Sequence, residues 1–471
     1  MTTGFLTPDD ATAARLMEAS SAIVLIGGFD GSANFGDVLQ ARVAMARALN
    51  ATEFSVVALV VEAAFEHYSA AALNAPDDVV ILPYTDTPDP AALSQLPPLT
   101  LVYLYGGGYL NERWSQRRLQ HFRTVAGLVA AHGSGGNPRV AATGLQVSPH
   151  DQLWEWRDWL ASAAPLGVRD DESETVLTQA GVPSSVISNS ADDAITELNA
   201  GHLHTDGDLS CINVHVSTSD YATDDGAGRL TWMLDTLASL ADELPGLRCK
   251  LLIAFHDPRV SEHPTVSMLE QRYRERVAAG AAAAVEFETV SLIDCLAREE
   301  GLVLGAGATI TSSYHVGLAS LWAQVPALLL ADNAFYEQKM GALAASFALP
   351  AGAVLSGGNR SSVAARALLA DVRTSLRASH GTTTALMSAR SDGATHAVGQ
   401  TIARLERDLM WRDSRAVFPH YRVLCEEVAD LHERKQYLEL HIDELRARLS
   451  SASAVGPAGA SGAAGSPGLA G

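Results

Sequence analysis

A histidine lies where a short apolar strand is predicted to give way to a helix, in Ile310-Thr-Ser-Ser-Tyr-His-Val-Gly317. At such a turn His315 could donate a proton or bind an anion near neutral pH. The hydroxyls of Ser312 and Ser313 could cap the helix and donate to a phosphate, with Tyr314 beside them. The alternative is a structural histidine whose hydrogen bonds are satisfied within the protein.

Two cations follow other predicted strands. Arg169 ends the apolar segment Leu166-Gly-Val-Arg169, so its guanidinium could hold a carboxylate or a phosphate through two parallel hydrogen bonds. An ion pair with Asp170 or Asp171 is the alternative. Lys339 is one of only three lysines in the chain. It lies just beyond a predicted strand and would reach the same cleft as the histidine.

A glycine-rich loop between the strand predicted at 23–26 and a helix could bring backbone N–H groups against a ligand. Gly31 and Gly36 permit positive φ, and Asn34 lies between them. Asp37 stands where a helix N-cap belongs, so the loop would deliver a ligand to the positive end of the helix. The spacing fits neither the dinucleotide fingerprint nor a phosphate-binding P-loop. A tight turn without a ligand is the alternative.

A second run of three glycines, Gly106, Gly107 and Gly108, follows the strand predicted at 101–105. Three consecutive glycines contribute little to packing, so close approach of the backbone to a ligand is the favoured interpretation and a sharp turn the alternative. No histidine or cysteine spacing is typical of a zinc or magnesium site. Neither a metal nor another cofactor is expected.

Composition excludes several classes of function. The chain has 471 residues, a formal net charge of −21 and a charged share of 18%. Such an acidic chain lacks the basic face of a general nucleic-acid or anionic-membrane binder, so a few local cations would have to hold an anionic substrate. Four widely separated cysteines suit a reducing compartment. No apolar run is long enough to span a membrane, and a cytoplasmic protein is expected.

The elements that would position these side chains alternate as strand and helix in both halves of the chain. In the first half, strands are predicted at 23–26, 55–61, 79–82, 101–105, 140–143, 165–168 and 185–187, and helices at 37–49, 115–132, 151–163 and 171–180. In the second half, strands are predicted at 211–216, 249–255, 285–288, 301–304, 308–311 and 327–330, and helices at 226–243, 263–278, 291–299 and 315–322. This rhythm predicts an α/β fold with two Rossmann-like, doubly wound lobes that face each other across a cleft.

The C-terminal part differs in character. From Leu424 to Leu445 leucines recur every seven residues, at heptad position d. The other core position of the heptad, a, is occupied by Val428, Lys435, Ile442 and Leu449. This pattern favours a two-stranded parallel coiled coil and hence a homodimer, and a single helix packed on its own domain is the alternative. The Ser, Ala, Gly and Pro residues that follow predict a disordered tail. The predicted domains are an N-terminal Rossmann-like domain at 1–200, a linker at 201–209, a C-terminal Rossmann-like domain at 210–395, C-terminal helices with the coiled coil at 396–449 and the tail at 450–471.

The combined motifs resemble the polysaccharide pyruvyltransferase family over roughly residues 20–345. Each motif is weak separately, whereas their joint order and spacing are fairly specific. The matching pieces are Gly28-x-x-Gly31-x-x-Asn34-x-Gly36-Asp37, Gly106-Gly-Gly-x-Leu110, Gly167-Val-Arg-Asp170, Ala191-Asp192-Asp193-Ala194 and Ser313-Tyr-His315.

The resemblance implies a GT-B-like fold and a defined reaction. Members of the family move the enolpyruvyl unit of phosphoenolpyruvate onto a sugar diol of a cell-surface glycan or its lipid-linked precursor, which gives a pyruvate ketal and phosphate. By resemblance, Arg169 holds the donor and His315 acts beside it. Chemically, the site needs a general acid near C3 of the donor, for which His315 is the candidate, and a base near the acceptor hydroxyl. Asp37 is the candidate base, or only a helix cap.

Where many family members carry Arg-Leu-His, this chain has Ser313-Tyr314-His315. The missing positive charge would have to come from Lys339, His215 or Arg259. Two other functions remain open. One is a GT-B glycosyltransferase that uses a nucleotide sugar, although the Arg-Lys pair common in such enzymes is absent near 212–260. The other is a catalytically inert family member that acts in assembly or as a scaffold through its coiled coil.

Overall fold

Two parallel β-sheets organise the chain, each built from short apolar strands. The computed structural model describes residues 4–5, 14–16, 18–31, 33–62, 71–85, 96–131, 138–200, 209–218, 223, 225–257, 260–298, 306–356 and 364–417, together with 430–431, 434–435, 437–438 and 442. The chain divides into two compact units, Met1–Glu406 and Arg407–Gly471. Both sheets belong to the first unit.

The N-terminal lobe contains a nine-stranded sheet in the order β1-β5-β4-β2-β6-β8-β9-β10, with β7 beside β8. Only β1 is antiparallel to its neighbour. The first ten strands, of which β3 pairs elsewhere, are β1 (Gly4–Phe5), β2 (Ser21–Ile26), β3 (Ala33–Asn34), β4 (Val56–Glu62), β5 (Val79–Thr85), β6 (Leu99–Leu104), β7 (Gly107–Leu110), β8 (Arg139–Val147), β9 (Leu166–Val168) and β10 (Ile187–Asn189).

Every residue of β2 and of β6 is buried. Central strands of a parallel sheet have to be apolar on both faces because helices cover both. The helices of this lobe are α1 (Phe35–Ala51), α2 (Ser115–Ala130), α3 (Leu153–Ala161), α4 (Asp171–Gln179) and α5 (Ile195–Ala200).

The C-terminal lobe repeats this architecture with a six-stranded parallel sheet in the order β15-β12-β11-β16-β17-β18. The remaining strands are β11 (Cys211–His215), β12 (Arg248–Ile253), β13 (Phe255–Asp257), β14 (Val260–Ser261), β15 (Glu286–Ser291), β16 (Ala308–Thr311), β17 (Ala327–Leu330) and β18 (Val354–Leu355). Its helices are α6 (Gly226–Glu243), α7 (His263–Ala278), α8 (Leu292–Ala297), α9 (Tyr314–Trp322) and α10 (Ala334–Ser346).

A small antiparallel sheet joins the lobes. Strand β3 of the N-terminal lobe pairs with β13 of the C-terminal lobe, which in turn pairs with β14. The N–H of Phe35, the first residue of α1, donates to the carbonyl of Ala254 at 2.8 Å. The N-terminus of α1 is therefore fixed against the C-terminal lobe.

The long helix α11 (Ala365–Val417) contacts both lobes. Arg373 donates to the carbonyl of Gly307 in the C-terminal lobe. Thr401 donates to the carbonyl of Ala164, and Glu406 accepts the N–H of Phe54, both in the N-terminal lobe. The chain thus returns to the first lobe after completing the second.

The predicted fold of two Rossmann-like lobes facing across a cleft, GT-B-like in arrangement, is confirmed. The strands predicted at 308–311 and 327–330 and the helices predicted at 226–243 and 263–278 have the observed bounds. The domain boundary predicted at 395/396 falls inside α11, and the strand predicted at 301–304 lies outside the described residues.

The coiled coil, the tail at 450–471 and nearly all of the linker at 201–209 also lie outside the described residues. The exceptions in the coiled-coil region are scattered helical positions such as Leu431 and Leu438, both exposed. The coiled coil and the homodimer therefore stay predictions. Among the described residues, no helix combines the length and apolar character needed to cross a bilayer.

Candidate active site

The carboxyl ends of strands from both sheets meet in the cleft between the lobes. Arg169 directly follows β9 of the N-terminal lobe, and Asp37 lies in the first turn of α1, after β2. From the other lobe, His315 is the second residue of α9, after β16, and Lys339 lies in α10, after β17. The structure thus brings together residues from four distant segments at the place where α/β folds bind ligands.

His315 lies against the N-terminus of α1. Its side chain is 7% exposed, and its Nε2 lies 3.5 Å from Oδ2 of Asp192 without making a hydrogen bond. A Cβ atom at Gly36 would come within 1.7 Å of the imidazole Nδ1. Gly36, predicted as a ligand contact, therefore makes room for the imidazole.

Asp192 connects the groups of the site. Its carboxylate accepts hydrogen bonds from Gln40 at 3.0 Å, from Arg169 at 3.1 Å and from the N–H of Ala194 at 2.9 Å. Burial by itself would raise the pKa of Asp192. The nearby His315 and Arg169 and the Ala194 hydrogen bond outweigh burial and hold this pKa well below its usual range. Asp192 is therefore a permanent buried anion beside the imidazole.

The guanidinium of Arg169 is engaged within the protein. One terminal nitrogen donates to Asp192 at 3.1 Å and the other to the side-chain oxygen of Gln146. The guanidinium also packs 4.0 Å from the centroid of the Tyr314 ring, and its Nε, 3.7 Å from Asp170, makes no hydrogen bond. The ion pair considered from sequence does form, but its closest carboxylate is Asp192 and not a sequence neighbour. Donor binding by Arg169 stays a prediction.

Lys339 lies among aromatic rings of the cleft. Its Nζ lies 5.5 Å from the ring centroids of Tyr314 and Phe335 and 5.6 Å from that of Tyr336. No carboxylate of a described residue lies within ion-pairing distance. Burial and, secondarily, a neighbouring guanidinium lower the pKa of Lys339 to about 7. An anionic ligand would restore the charge of this amine.

The prediction that Asp37 caps α1 is wrong. The helix begins at Phe35, and the side chain of Asn34 accepts the N–H of Gly36 at 3.2 Å as the N-cap. Asp37 instead lies in the first turn. Burial raises its pKa more than the nearby cations lower it, so this carboxyl is a stronger base than an exposed aspartate. Asn34, predicted to bind a ligand, has a structural role as the cap.

The hydroxyl of Ser313 is likewise a helix cap, because it accepts the N–H of Val316 at the start of α9. The sequence predicted both this cap and contact with a phosphate. The structure shows the cap, and the phosphate contact stays a prediction.

The three glycines that follow β6 pack against protein groups. The N–H of Gly106 donates to Asp193 at 2.8 Å, and Gly107 has a φ of 113°. A Cβ atom at Gly108 would come within 2.7 Å of the Gln146 side-chain oxygen. Close approach of the backbone is observed, with a carboxylate and an amide of the protein as the neighbours.

Two hydrogen bonds from the N-terminal lobe fix the first glycine-rich loop, which follows β2. Arg118 donates to the carbonyl of Gly28 at 3.0 Å, and the N–H of Glu62 donates to the carbonyl of Asp30 at 2.8 Å. Gly31 has a φ of 96°, which favours glycine. These contacts fix the loop that leads to the N-terminus of α1.

Arg47 links the site to the long helix. It donates to Asp193, to the hydroxyl of Ser391 at 3.0 Å and to that of Thr395 at 2.8 Å. Asp193 also accepts the hydroxyl of Thr143 at 2.9 Å. Arg47 of α1 and Thr143 of β8 therefore hold the Asp193 carboxylate, and α11 in turn holds Arg47.

Sequence reasoning gave no role to several residues that organise this site. They are Gln40, Arg47, Gln146, Asp192 and Asp193. The acidic run at 191–194 was a signal for the two aspartates, since it matched a family motif. Nothing in the local sequence marked the two glutamines or the arginine.

The three cations suggested as replacements for the missing family arginine differ in availability. Lys339 lies in the cleft as described above. His215 makes a hydrogen bond with Glu262 at 3.0 Å, and Arg259 lies outside the described residues. Within the described part of the chain, no group of three or more His, Cys, Asp or Glu side chains could hold a metal ion.

The fold and the cleft define the chain as a two-lobed, GT-B-like α/β protein with a buried His–Asp contact between the lobes. Neither a protein-family model nor a curated protein sequence matches it. Among solved structures, the chain is similar to the UDP-GlcNAc 2-epimerase of Neisseria meningitidis bound to UDP-GlcNAc, with 11% identity over 82% of this chain and 99% of that chain and a TM-score of 0.44.

Two further solved structures are similar at the same level. A putative UDP-N-acetylglucosamine 2-epimerase from Listeria monocytogenes has 12% identity over 83% of this chain and 97% of that chain, with a TM-score of 0.48. Anabaena HepE in complex with UDP and glucose has 14% identity over 81% and 99%, with a TM-score of 0.45. None of the three is named as a pyruvyltransferase. Likenesses of this size assign neither a family nor an activity to this chain.

Proposed function

We propose that this chain is a group-transfer enzyme that binds a small phosphorylated donor in the cleft and acts on a carbohydrate acceptor. The observation that carries the proposal is the contact between His315 and the buried carboxylate of Asp192, beside the amine of Lys339, which has no carboxylate partner among the described residues. This arrangement combines a proton donor with a site for a negative charge. We propose phosphoenolpyruvate as the donor, in line with the resemblance to polysaccharide pyruvyltransferases.

Two features support an anionic donor in this cleft. The N-terminus of α1, a helix of 17 residues, lies against His315 and contributes a partial positive charge. Lys339, with its pKa lowered to about 7, takes up a proton more readily when a phosphate approaches. Because the chain carries a net charge of −21, such local groups have to supply the attraction.

The chemistry assigns separate roles to these residues. His315 protonates C3 of the enol phosphate, which leaves an oxocarbenium-like carbon at C2, and one acceptor hydroxyl attacks that carbon. The second hydroxyl then displaces phosphate, which leaves with the proton of that hydroxyl, so that donor and diol give the ketal and hydrogen phosphate. Asp37, with its raised pKa, takes a hydroxyl proton. Arg169 positions Asp192 and Tyr314, and its contact with the donor stays a prediction.

The experiment measures phosphate release from phosphoenolpyruvate in the presence of a panel of sugars that carry vicinal or 4,6-diols. Wild type is compared with Lys339→Ala, Lys339→Arg and Arg272→Ala. Arg272 is an exposed cation on α7 and serves as the control for loss of one charge. We expect the donor KM to rise about tenfold in Lys339→Ala, to recover in Lys339→Arg and to stay unchanged in Arg272→Ala.

The same panel is run with UDP-sugars in place of phosphoenolpyruvate. Turnover or thermal stabilisation by a UDP-sugar alone would contradict the proposal and assign the chain to the nucleotide-sugar alternative. Failure of every donor to bind would favour the catalytically inert scaffold. An equal KM in Lys339→Ala and wild type would place Lys339 outside the donor site.

A further inference from the structure

A second concave surface lies on the N-terminal lobe, away from the cleft. It has a volume of about 800 Å³ and lies between α3, the start of β8 and α11. Small-molecule sites commonly enclose about 300–1,000 Å³, so this groove is large enough for a ligand. Its functional side chains are Arg123, Arg139, Trp154, Arg157, Trp159 and Arg404.

The groove is remote from the proposed donor site. Arg139 begins β8, whereas Gln146, which contacts Arg169, lies near the other end of that strand. Residues 139 and 146 are seven positions apart, which at about 3.3 Å per residue corresponds to roughly 23 Å along the strand. A donor held beside His315 therefore does not reach this surface.

Two tryptophans form the apolar part of the groove. Trp154 is 69% exposed, which is unusual for so large an apolar side chain. Trp159 is partly buried and packs edge-to-face on Phe122 with the ring centroids 4.7 Å apart. The first ring therefore faces solvent, while the second is fixed against the core. Flat apolar faces of this kind stack on the rings of a ligand.

The charges of the groove are mixed. Arg123 pairs with Glu155, and Arg157 pairs with Asp158 at 2.9 Å. Arg404 is exposed and has no ion pair with a described residue. Two of the four arginines are thus paired within the groove, and Arg404 supplies its exposed positive charge. A polymer with one charge on every nucleotide needs a continuous basic track, which this surface lacks.

One side of the groove, formed by α11, is fixed to the N-terminal lobe by a hydrogen bond. Thr401 of α11 donates to the carbonyl of Ala164 at 2.6 Å, and both residues line the groove. This hydrogen bond fixes α11, and with it Arg404, against the segment before β9. A preformed wall lowers the ordering cost of binding.

We propose that this groove binds an acidic polysaccharide, a chain of sugar rings with sparse carboxylate groups. The sugar faces stack on Trp154 and Trp159, and Arg404 with its neighbouring arginines binds the carboxylates. The groove uses none of the cleft residues, so the proposal extends beyond the donor chemistry and stands or falls separately from it.

The experiment measures fluorescence anisotropy of a labelled oligogalacturonide with the full chain. A labelled neutral maltooligosaccharide and a labelled oligothymidylate of similar length are the comparison probes. The variants are Trp154→Ala and Arg404→Ala. Trp114→Ala and Arg272→Ala are the matched controls, since both residues are exposed and neither lines the groove.

We expect oligogalacturonide to bind more tightly than either comparison probe. Each groove variant should weaken its binding about tenfold, and neither control should change it. Thermal stabilisation by phosphoenolpyruvate should be equal in wild type and all four variants, which separates this result from the fate of the donor proposal.

Absence of oligogalacturonide binding, or equal effects of groove and control variants, would overturn the proposal. Tighter binding of oligothymidylate would overturn it in favour of a single-stranded nucleic acid. Equal binding of the neutral oligosaccharide would also overturn it, because the arginines would then not select acidic sugars.

Discussion

His215 and His315 lie at the carboxyl ends of adjacent strands in the same sheet, and each lies close to a carboxylate. His215 is the last residue of β11, and His315 follows the neighbouring β16 by a few residues. The imidazole of His215 is hydrogen-bonded to Glu262 at 3.0 Å, and its other ring nitrogen lies 3.3 Å from the hydroxyl of Ser312. His315 lies 3.5 Å from Asp192 and its Nε2 has no hydrogen bond.

The carboxylates that lie close to these histidines, Glu262 and Asp192, also differ in which lobe they belong to relative to their histidine. The second oxygen of Glu262 accepts the N–H groups of Ala254 and Phe255 at 2.9 and 3.0 Å, so this carboxylate holds the turn between β12 and β13. Asp192 comes from the opposite lobe to its histidine. A histidine whose partners all lie in one lobe stabilises that lobe, whereas one that contacts a carboxylate across the cleft can respond to a ligand between the lobes.

The largest expected effect separates the two histidines in catalysis. His315→Gln should lower kcat for phosphate release by ~10²–10⁴, the usual contribution of a positioned general acid. His215→Gln should lower kcat by less than about tenfold while lowering the free energy of unfolding, because a buried hydrogen bond is lost. Steady-state kinetics with thermal unfolding of both variants checks this. Equal losses of kcat in the two variants would contradict a catalytic role for His315 that His215 lacks.

Removal of the carboxylate partner of His215 should act on stability. Glu262→Ala leaves two backbone N–H groups and one imidazole without a buried acceptor, which should cost about 1–3 kcal/mol in the free energy of unfolding. Denaturant unfolding measures the loss, with the exposed Glu275→Ala on α7 as the control. A cost below about 0.5 kcal/mol would show that the His215–Glu262 contact is not structural.

Lys339 should give the surroundings of His315 a pH dependence that those of His215 lack. Its pKa of about 7 means that the amine loses its charge as the pH rises through 7. Affinity for phosphoenolpyruvate should then fall by up to about tenfold per pH unit above 7. Lys339→Arg stays charged, so its affinity should not fall over that range. Calorimetric titrations from pH 6 to pH 9 test this, and parallel profiles of both proteins would contradict it.

Ser313 should have the smallest effect, and it distinguishes a helix cap from a ligand contact. As the N-cap of α9, its replacement in Ser313→Ala should cost about 1 kcal/mol of stability. If the hydroxyl is only a cap, the donor Kd should be unchanged. A Kd raised about tenfold or more at an unchanged melting temperature would support the phosphate contact predicted from sequence.

The alternation of strand and helix was predictable from sequence because buried parallel strands leave apolar runs that glycines and polar helices separate. The position of His315 after β16 followed from that pattern, since the strand and the helix have nearly the predicted bounds. The N-cap of α1 was not predictable from sequence, because Asn34 and Asp37 are both good capping residues. Only the pairing of β3 with β13 fixes which of them ends the loop.

The partners of the site residues could not be predicted. Arg169 and Asp192 are separated by 23 positions, and Gln40 lies 152 positions from Asp192. Such contacts depend on the order of strands in the sheet, which local patterns do not determine. The return of α11 to the first lobe was missed for a related reason, since its contacts, such as that of Thr401 with Ala164, join positions far apart in the sequence.

The measurement that tests the central claim most directly is calorimetric titration of the cleft with phosphoenolpyruvate, alongside UDP and UDP-GlcNAc. We expect phosphoenolpyruvate to bind wild type and His315→Gln with similar Kd, because the proposed acid acts on the reaction and not on binding. Lys339→Ala should weaken that binding about tenfold. Binding of UDP or UDP-GlcNAc without binding of phosphoenolpyruvate, or binding of phosphoenolpyruvate that is indifferent to Lys339, would contradict the account.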